Sequence, residues 1–322
     1  MPAPADRALL EEELREALAE AASRAAQTLV SVTVPFDCDD PSATVFASRR
    51  AGEPFFCWEQ PDRDLRLAAL GRIHEITARG PNRFVTVAAD CANLSGEAVL
   101  RGSGGFTTGP VWTGGFAFHD DGTAGAADPD PAWSSFEPAS MILPELAIQS
   151  SEGGTFLTVN LMAGPGSDGE ALLAAAMARV AGLVSGEMPM IDPHPTVAPS
   201  IESVRSPESY EGSVAEAVER IRSGEIEKVV LAREVVVRAG SAHDPAAIYD
   251  ALRQGFPSCF NFCAGTGEAV FIGASPELLV RCVGRGVAAV GLAGSPRRSS
   301  GPGVGDHLAQ QLLSSRKDRG EQ

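Results

Sequence analysis

Glu227-Lys228-Val229-Val230-Leu231-Ala232-Arg233 and, further along, Gly273-Ala274-Ser275-Pro276-Glu277-Leu278-Leu279 are the runs whose reading decides the fold. Each sets one ionisable side chain in an apolar, strand-like context. Alternation places Lys228, Val230 and Ala232 on one face of a strand and Val229, Leu231 and Arg233 on the other, with small Ala232 leaving room beside the lysine. Burial disfavours a charged form, so it lowers a lysine's pKa and raises a carboxyl's. A base and an acid poised near neutral pH can be made in this way. The pattern alone also fits a simpler arrangement, in which Lys228 and Glu277 are solvent-facing strand residues.

Around these runs the chain reads as strands and helices in alternation. Residues 213–223 form an amphipathic helix with Val214, Val218 and Ile221 on one face, and Gly224 stops it. A strand over 226–238 carries Lys228. Asp244 caps a helix that runs to about Gln254, with Pro245 at its first position. Residues 259–264 and 269–273 pair over Gly265-Thr266-Gly267, and 278–283 and 287–292 over Gly284-Arg285-Gly286. These are antiparallel ribbons, not βαβ units. Gly301-Pro302-Gly303-Val304-Gly305 precedes a helix but follows no strand, which rules out a dinucleotide fingerprint. A last helix runs from Asp306 through Leu308, Leu312 and Leu313 into Lys317-Asp318-Arg319-Gly320-Glu321.

Upstream, Leu9, Leu10, Leu14, Leu18 and Ala21 recur at helical spacing within a helix over 6–29. Strands are expected at 30–36, 44–48, 55–59, 84–89, 116–119, 141–148 and 155–162, while 65–76 fits a strand or a helix. Gly102-Ser103-Gly104-Gly105 and Gly114-Gly115-Phe116 are turns, because neither follows a strand and opens a helix with Lys-Ser/Thr as a phosphate cradle must. An Ala-rich helix covers 169–182. The following stretch, 189–200, has prolines at 189, 193, 195 and 199 and reads as an extended connector. It divides a β-rich N-terminal region, 1–188, from a C-terminal region, 201–322.

The chain has 42 Asp plus Glu against 26 Lys plus Arg, a formal charge of −16, which excludes broad binding to nucleic acid or an anionic membrane. An anionic small substrate would need a local basic cluster in a cleft. Cys38, Cys57, Cys91, Cys259, Cys263 and Cys282 form no Cys-x-x-Cys pair and sit mostly beside apolar residues. Buried free thiols in a reducing compartment account for them better than a zinc site. No run approaches a membrane span, and Glu11-Glu12-Glu13 and Arg15 break any signal-peptide pattern, so the cytoplasm is expected.

Four blocks occur in one order: Glu-Lys-Val-Val-Leu-Ala-Arg from 227, Gly-Ala-Ser-Pro-Glu-Leu-Leu from 273, Leu292-Ala293-Gly294-Ser295 with Arg297-Arg298, and Lys317-Asp318-Arg319. In this the chain resembles the chorismate-binding enzymes, most closely the isochorismate synthases, sharply from about residue 200 onward. The resemblance implies an α/β fold of the α+β type, with layered, mainly antiparallel sheets flanked by helices. It implies an isomerase that converts chorismate to isochorismate for menaquinone or catechol siderophore synthesis. Lys228 would be the base that deprotonates water and Glu277 the acid that protonates the departing hydroxyl. The backbone at Gly294 and Ser295 would contact substrate, and Mg2+ would be held in part by Glu321. Gly320 and Gln322 stand where the family usually has histidines, and Arg316 where an acid is common. The family's pattern continues beyond this last helix, so a fold incomplete at its C-terminal side is expected. The expected partner is chorismate alone, and the expected state is a monomer. Two alternatives stay open: a salicylate synthase-like lyase, which keeps the lysine, and a truncated inactive pseudo-enzyme.

Overall fold

The computed structural model describes residues 4–102, 109–120, 133–191, 198–290, 310 and 313–314. The N-terminal region supplies α1 (Pro4–Ala22), β1 (Thr28–Pro35), α2 (Pro41–Ser48), β2 (Phe55–Gln60), β3 (Leu65–Leu70), β4 (His74–Thr77) and α3 (Arg83–Gly96). It continues with β5 (Val99–Gly102), β6 (Thr113–Phe116), β7 (Ala139–Leu143), β8 (Leu146–Ser151), β9 (Gly154–Ala163) and α4 (Gly169–Ala181). The C-terminal region, with the end of the connector, supplies β10 (Ser200–Ser203), α5 (Pro207–Arg222), β11 (Val235–Arg238), α6 (Pro245–Gly255), β12 (Phe260–Gly265), β13 (Val270–Ser275), β14 (Arg281–Val283) and β15 (Gly286–Ala288).

An eight-stranded sheet in the order β13-β12-β2-β3-β8-β9-β1-β5 organises the molecule. Its pairs are antiparallel except β1 with β5. Alternation sends Val30, Val32 and Val34 of β1 and Leu157, Val159 and Leu161 of β9 into one core with Leu10, Leu14 and Leu18 of α1 and Leu173, Met177 and Val180 of α4. The buried hydroxyls of Thr33 and Thr158 meet at 2.9 Å across β1 and β9. A smaller sheet, β4-β7-β6, packs on α3 through Ile76, Val87 and Ala139. The connector does not mark a break between sheets, because β12 of the C-terminal region pairs along its length with β2 of the N-terminal region, Cys263 opposite Cys57. The expected fold class holds: mixed α/β, with mainly antiparallel sheets flanked by helices.

Several local expectations fail, each for a physical reason. Residues 44–48 are helical, not extended, because Pro41 opens α2 and the Asp40 carboxylate caps it, accepting from the Ala43 N–H at 2.9 Å. Residues 84–89 belong to α3, where tertiary contacts override the β-branched run: Val87 packs in the small-sheet core. Arg83, 3% exposed, donates to the carbonyls of Ala117 at 2.9 Å and Phe118 at 3.3 Å and pairs with Asp120. Residues 116–119 hold only the end of β6, and 65–76 is two strands. The strand expected over 226–238 forms only at 235–238, where β10 pairs with it. A lone extended segment cannot satisfy its own N–H and C=O groups, and among the described residues no strand runs beside 226–234. Cys282 is exposed and Cys38 and Cys91 only half-buried, so the buried-thiol expectation holds for Cys57, Cys259 and Cys263.

Candidate active site

Lys228 lies in the irregular segment between α5 and β11, and its side chain is exposed. Its apolar neighbours are exposed too, Val230 at 84%. Glu277 follows β13 at the Pro276 corner and is also exposed. A serine turn shapes that corner: the Ser275 hydroxyl accepts from the Glu277 N–H and donates to the Glu277 carbonyl, both at 3.4 Å. The lysine thus comes from a segment joined to the β10–β11 ribbon and the glutamate from the end of the outermost described strand of the large sheet. Neither stands in the dry setting expected from the apolar sequence around it, and each segment lacks the neighbouring strand that would enclose it among the described residues. Gly294, Ser295 and Glu321 lie outside the described residues. Among the described residues no three His, Cys, Asp or Glu side chains gather to hold a metal ion.

What does lie buried is a charge cluster that pattern reading missed. Arg253 of α6 donates to the Asp40 carboxylate at 2.6 and 3.1 Å, to Glu59 at 3.1 Å and to Asp250 at 2.8 Å. Glu59, 1% exposed in β2, also accepts from the Ser42 hydroxyl at 2.5 Å. Burial drives the Glu59 carboxyl above the ordinary range despite Arg253 and Ser42. Burial acts the same way on Asp40, but there the Arg253 hydrogen bonds win and hold it below the ordinary range. The Tyr249 hydroxyl is raised by burial and by the Glu59 charge. The cluster ties α6 to α2 and β2, and α6 packs under β12 and β13. It therefore seats the hairpin that leads to Glu277. Asp250-x-x-Arg253 on a capped helix was the available signal, but its partners lie about 200 residues away in sequence, beyond any local pattern.

The solved structure of MenF, the menaquinone-specific isochorismate synthase from Escherichia coli, matches over 97% of this chain and 66% of its own, with a TM-score of 0.66 at 21% identity, a likeness of fold. The family described as "Chorismate binding enzyme" matches residues 16–322, and the chain belongs to it. The salicylate biosynthesis isochorismate synthase of Pseudomonas aeruginosa is 29% identical over 293 residues, 91% of this chain and 59% of that protein. The isochorismate synthase MenF of Bacillus subtilis is 25% identical over 281 residues, 84% of this chain and 57% of that protein. The chain thus spans somewhat under three-fifths of these curated relatives. No described helix is long and apolar enough to cross a membrane.

Proposed function

We propose that this chain carries isochorismate synthase chemistry, an isomerisation of chorismate. The observation that carries the reading is the family match over 16–322, together with isochorismate synthases among its relatives. The substrate is a small dianion with an allylic hydroxyl on a cyclohexadiene ring. Lys228, neutral, takes a proton from water as its oxygen attacks one ring carbon. Glu277, protonated, gives its proton to the hydroxyl leaving from another. One C–O bond forms and one breaks, so the overall composition is unchanged. These protonation states require a dry site around Lys228 and Glu277.

The backbone of Gly294 and Ser295 would take a substrate carboxylate, and magnesium, with Glu321 among its ligands, would neutralise substrate charge. The role of the metal rests on the resemblance, since the described residues supply no cage for an ion, and no step is assigned to it. The proposal further takes the protein as a cytoplasmic monomer. The product serves menaquinone or catechol siderophore synthesis. Incubation with chorismate and magnesium, followed by chromatography, tests the reading. Isochorismate is the expected product; salicylate with pyruvate, or unchanged chorismate, would overturn it.

A further inference from the structure

The turn after α2 and the turn of the β12–β13 hairpin meet around a cavity of about 220 Å³. Gly267 permits the meeting: at φ +96° it adopts a backbone that side chains disfavour, and a Cβ there would stand 2.5 Å from the Gly52 carbonyl oxygen. Phe55, Val270, Arg49 and Arg50 are among the residues that line the cavity. The Arg49 guanidinium carbon lies 5.0 Å from the centre of the Phe55 ring and 5.6 Å from that of Phe46. Two aromatic faces therefore hold the cation in place. Among the described residues no carboxylate pairs with it, although acids outnumber bases 42 to 26 in this chain. Glu53, also in the lining, is already engaged by Arg179 and by the Arg50 N–H at 2.8 Å. Glu268, also in the lining, is exposed.

We infer that this cavity binds a small carboxylate carrying one apolar ring. The guanidinium offers paired, coplanar N–H donors that match the two oxygens of a carboxylate. The apolar side chains in the lining are Ala51, Phe55 and Val270. The volume falls below the roughly 300–1,000 Å³ of drug-sized pockets, which restricts the ligand to a single ring. Neither Lys228 nor Glu277 lines the cavity.

Calorimetric titration of the 322-residue chain with benzoate, acetate and inorganic phosphate tests the inference. Benzoate should bind saturably, at least about fivefold more tightly than acetate, and more weakly as salt screens the ion pair. Arg49→Gln should weaken benzoate binding about tenfold, and Arg49→Lys, which keeps the charge but loses the planar fork, by an intermediate factor. Glu268→Gln should tighten it about twofold by removing a nearby negative charge. This exposed substitution leaves the aromatic stack intact and keeps the test sound should Arg49 variants disturb it. Absence of saturable benzoate binding, phosphate binding as tightly as benzoate, or indifference to both Arg49→Gln and Glu268→Gln would overturn the assignment.

Discussion

Replacing Arg253 with methionine removes the one cation shared by Asp40, Glu59 and Asp250 while keeping much of its buried hydrocarbon. Its side chain is 15% exposed and that of Glu59 is 2% exposed, so the carboxylates left behind have little water to turn to. Breaking a buried pair by removing one partner costs about 3–5 kcal/mol. Arg66, 3.9 Å from Glu59, offsets some of this. Glu59 can also escape by taking up a proton. Holding a glutamate neutral in the fold costs at most about 1.4 kcal/mol per pH unit above its ordinary pKa of about 4.3. That is about 3.7 kcal/mol at pH 7 and about 1 kcal/mol at pH 5, so both routes lead to a loss of about 3 kcal/mol at neutral pH. In the parent the two acids act in opposite senses. Glu59, raised, loses stability as pH climbs from the ordinary carboxyl range toward its folded pKa. Asp40, lowered, contributes stability above the ordinary aspartate range that is lost on acidification through its folded pKa. In the variant the Glu59 effect grows. Urea unfolding at pH 7 should show a midpoint lower by roughly 1 M, with a smaller shift at pH 5, where the loss of the Asp40–Arg253 pairing remains. Adding Glu59→Gln should recover some of the loss, because the amide carries no charge and still accepts from Ser42. A midpoint unchanged at pH 7, or equal losses at both pH values with no rescue by Glu59→Gln, would refute the reasoning.

In a chain active on chorismate, Lys228→Ala and Glu277→Gln should each lower kcat by about 10²–10⁴-fold, measured by product chromatography, with a far smaller effect on substrate affinity. Gly102→Ala should destabilise the β1–β5 pairing by about 2 kcal/mol or more in thermal unfolding, since φ is +74° and the new Cβ would stand 1.8 Å from the Thr33 carbonyl oxygen. Thiol labelling at pH 8 followed by mass spectrometry should modify Cys282 within minutes and leave Cys57 and Cys263 intact until denaturant is added. Both are buried, and burial pushes the Cys263 thiol up to about 12 and the Cys57 thiol well above its usual value.

Where periodicity and capping agreed, the sequence could be read directly. Asp244-Pro245 announced α6, Leu10, Leu14 and Leu18 announced α1, and Gly265-Thr266-Gly267 announced the β12–β13 hairpin. At 44–48 the β-branched Thr44 and Val45 masked a helix whose true signal, Asp40-Pro41, stood just before the window. Residues 226–234 have the composition of a strand, but strand formation depends on a neighbour, and composition says nothing about whether one is present. The apolar runs around Lys228 and Glu277 suggested a base and an acid, and motif order assigned the two their roles; their surroundings in the fold are open where the pattern called for enclosure. Arg253 went unseen because its meaning depends on Asp40 and Glu59, which only the folded sheet brings near.

The pairing of β12 with β2 also bears on how the protein is made. Strand β2 emerges early from the ribosome, while Cys263, which faces Cys57, follows on the order of 200 residues later. At roughly 5–20 residues per second, the outer edge of β2 waits about 10–40 s for its partner. During that interval the edge offers Phe55, Phe56 and Trp58 beside unsatisfied backbone groups, a template for pairing with another nascent chain. The strands β1, β9, β8 and β3 all emerge before the connector and can assemble first. The late hairpin then covers this edge of β2 and leaves β13 as the described margin of the sheet on that side.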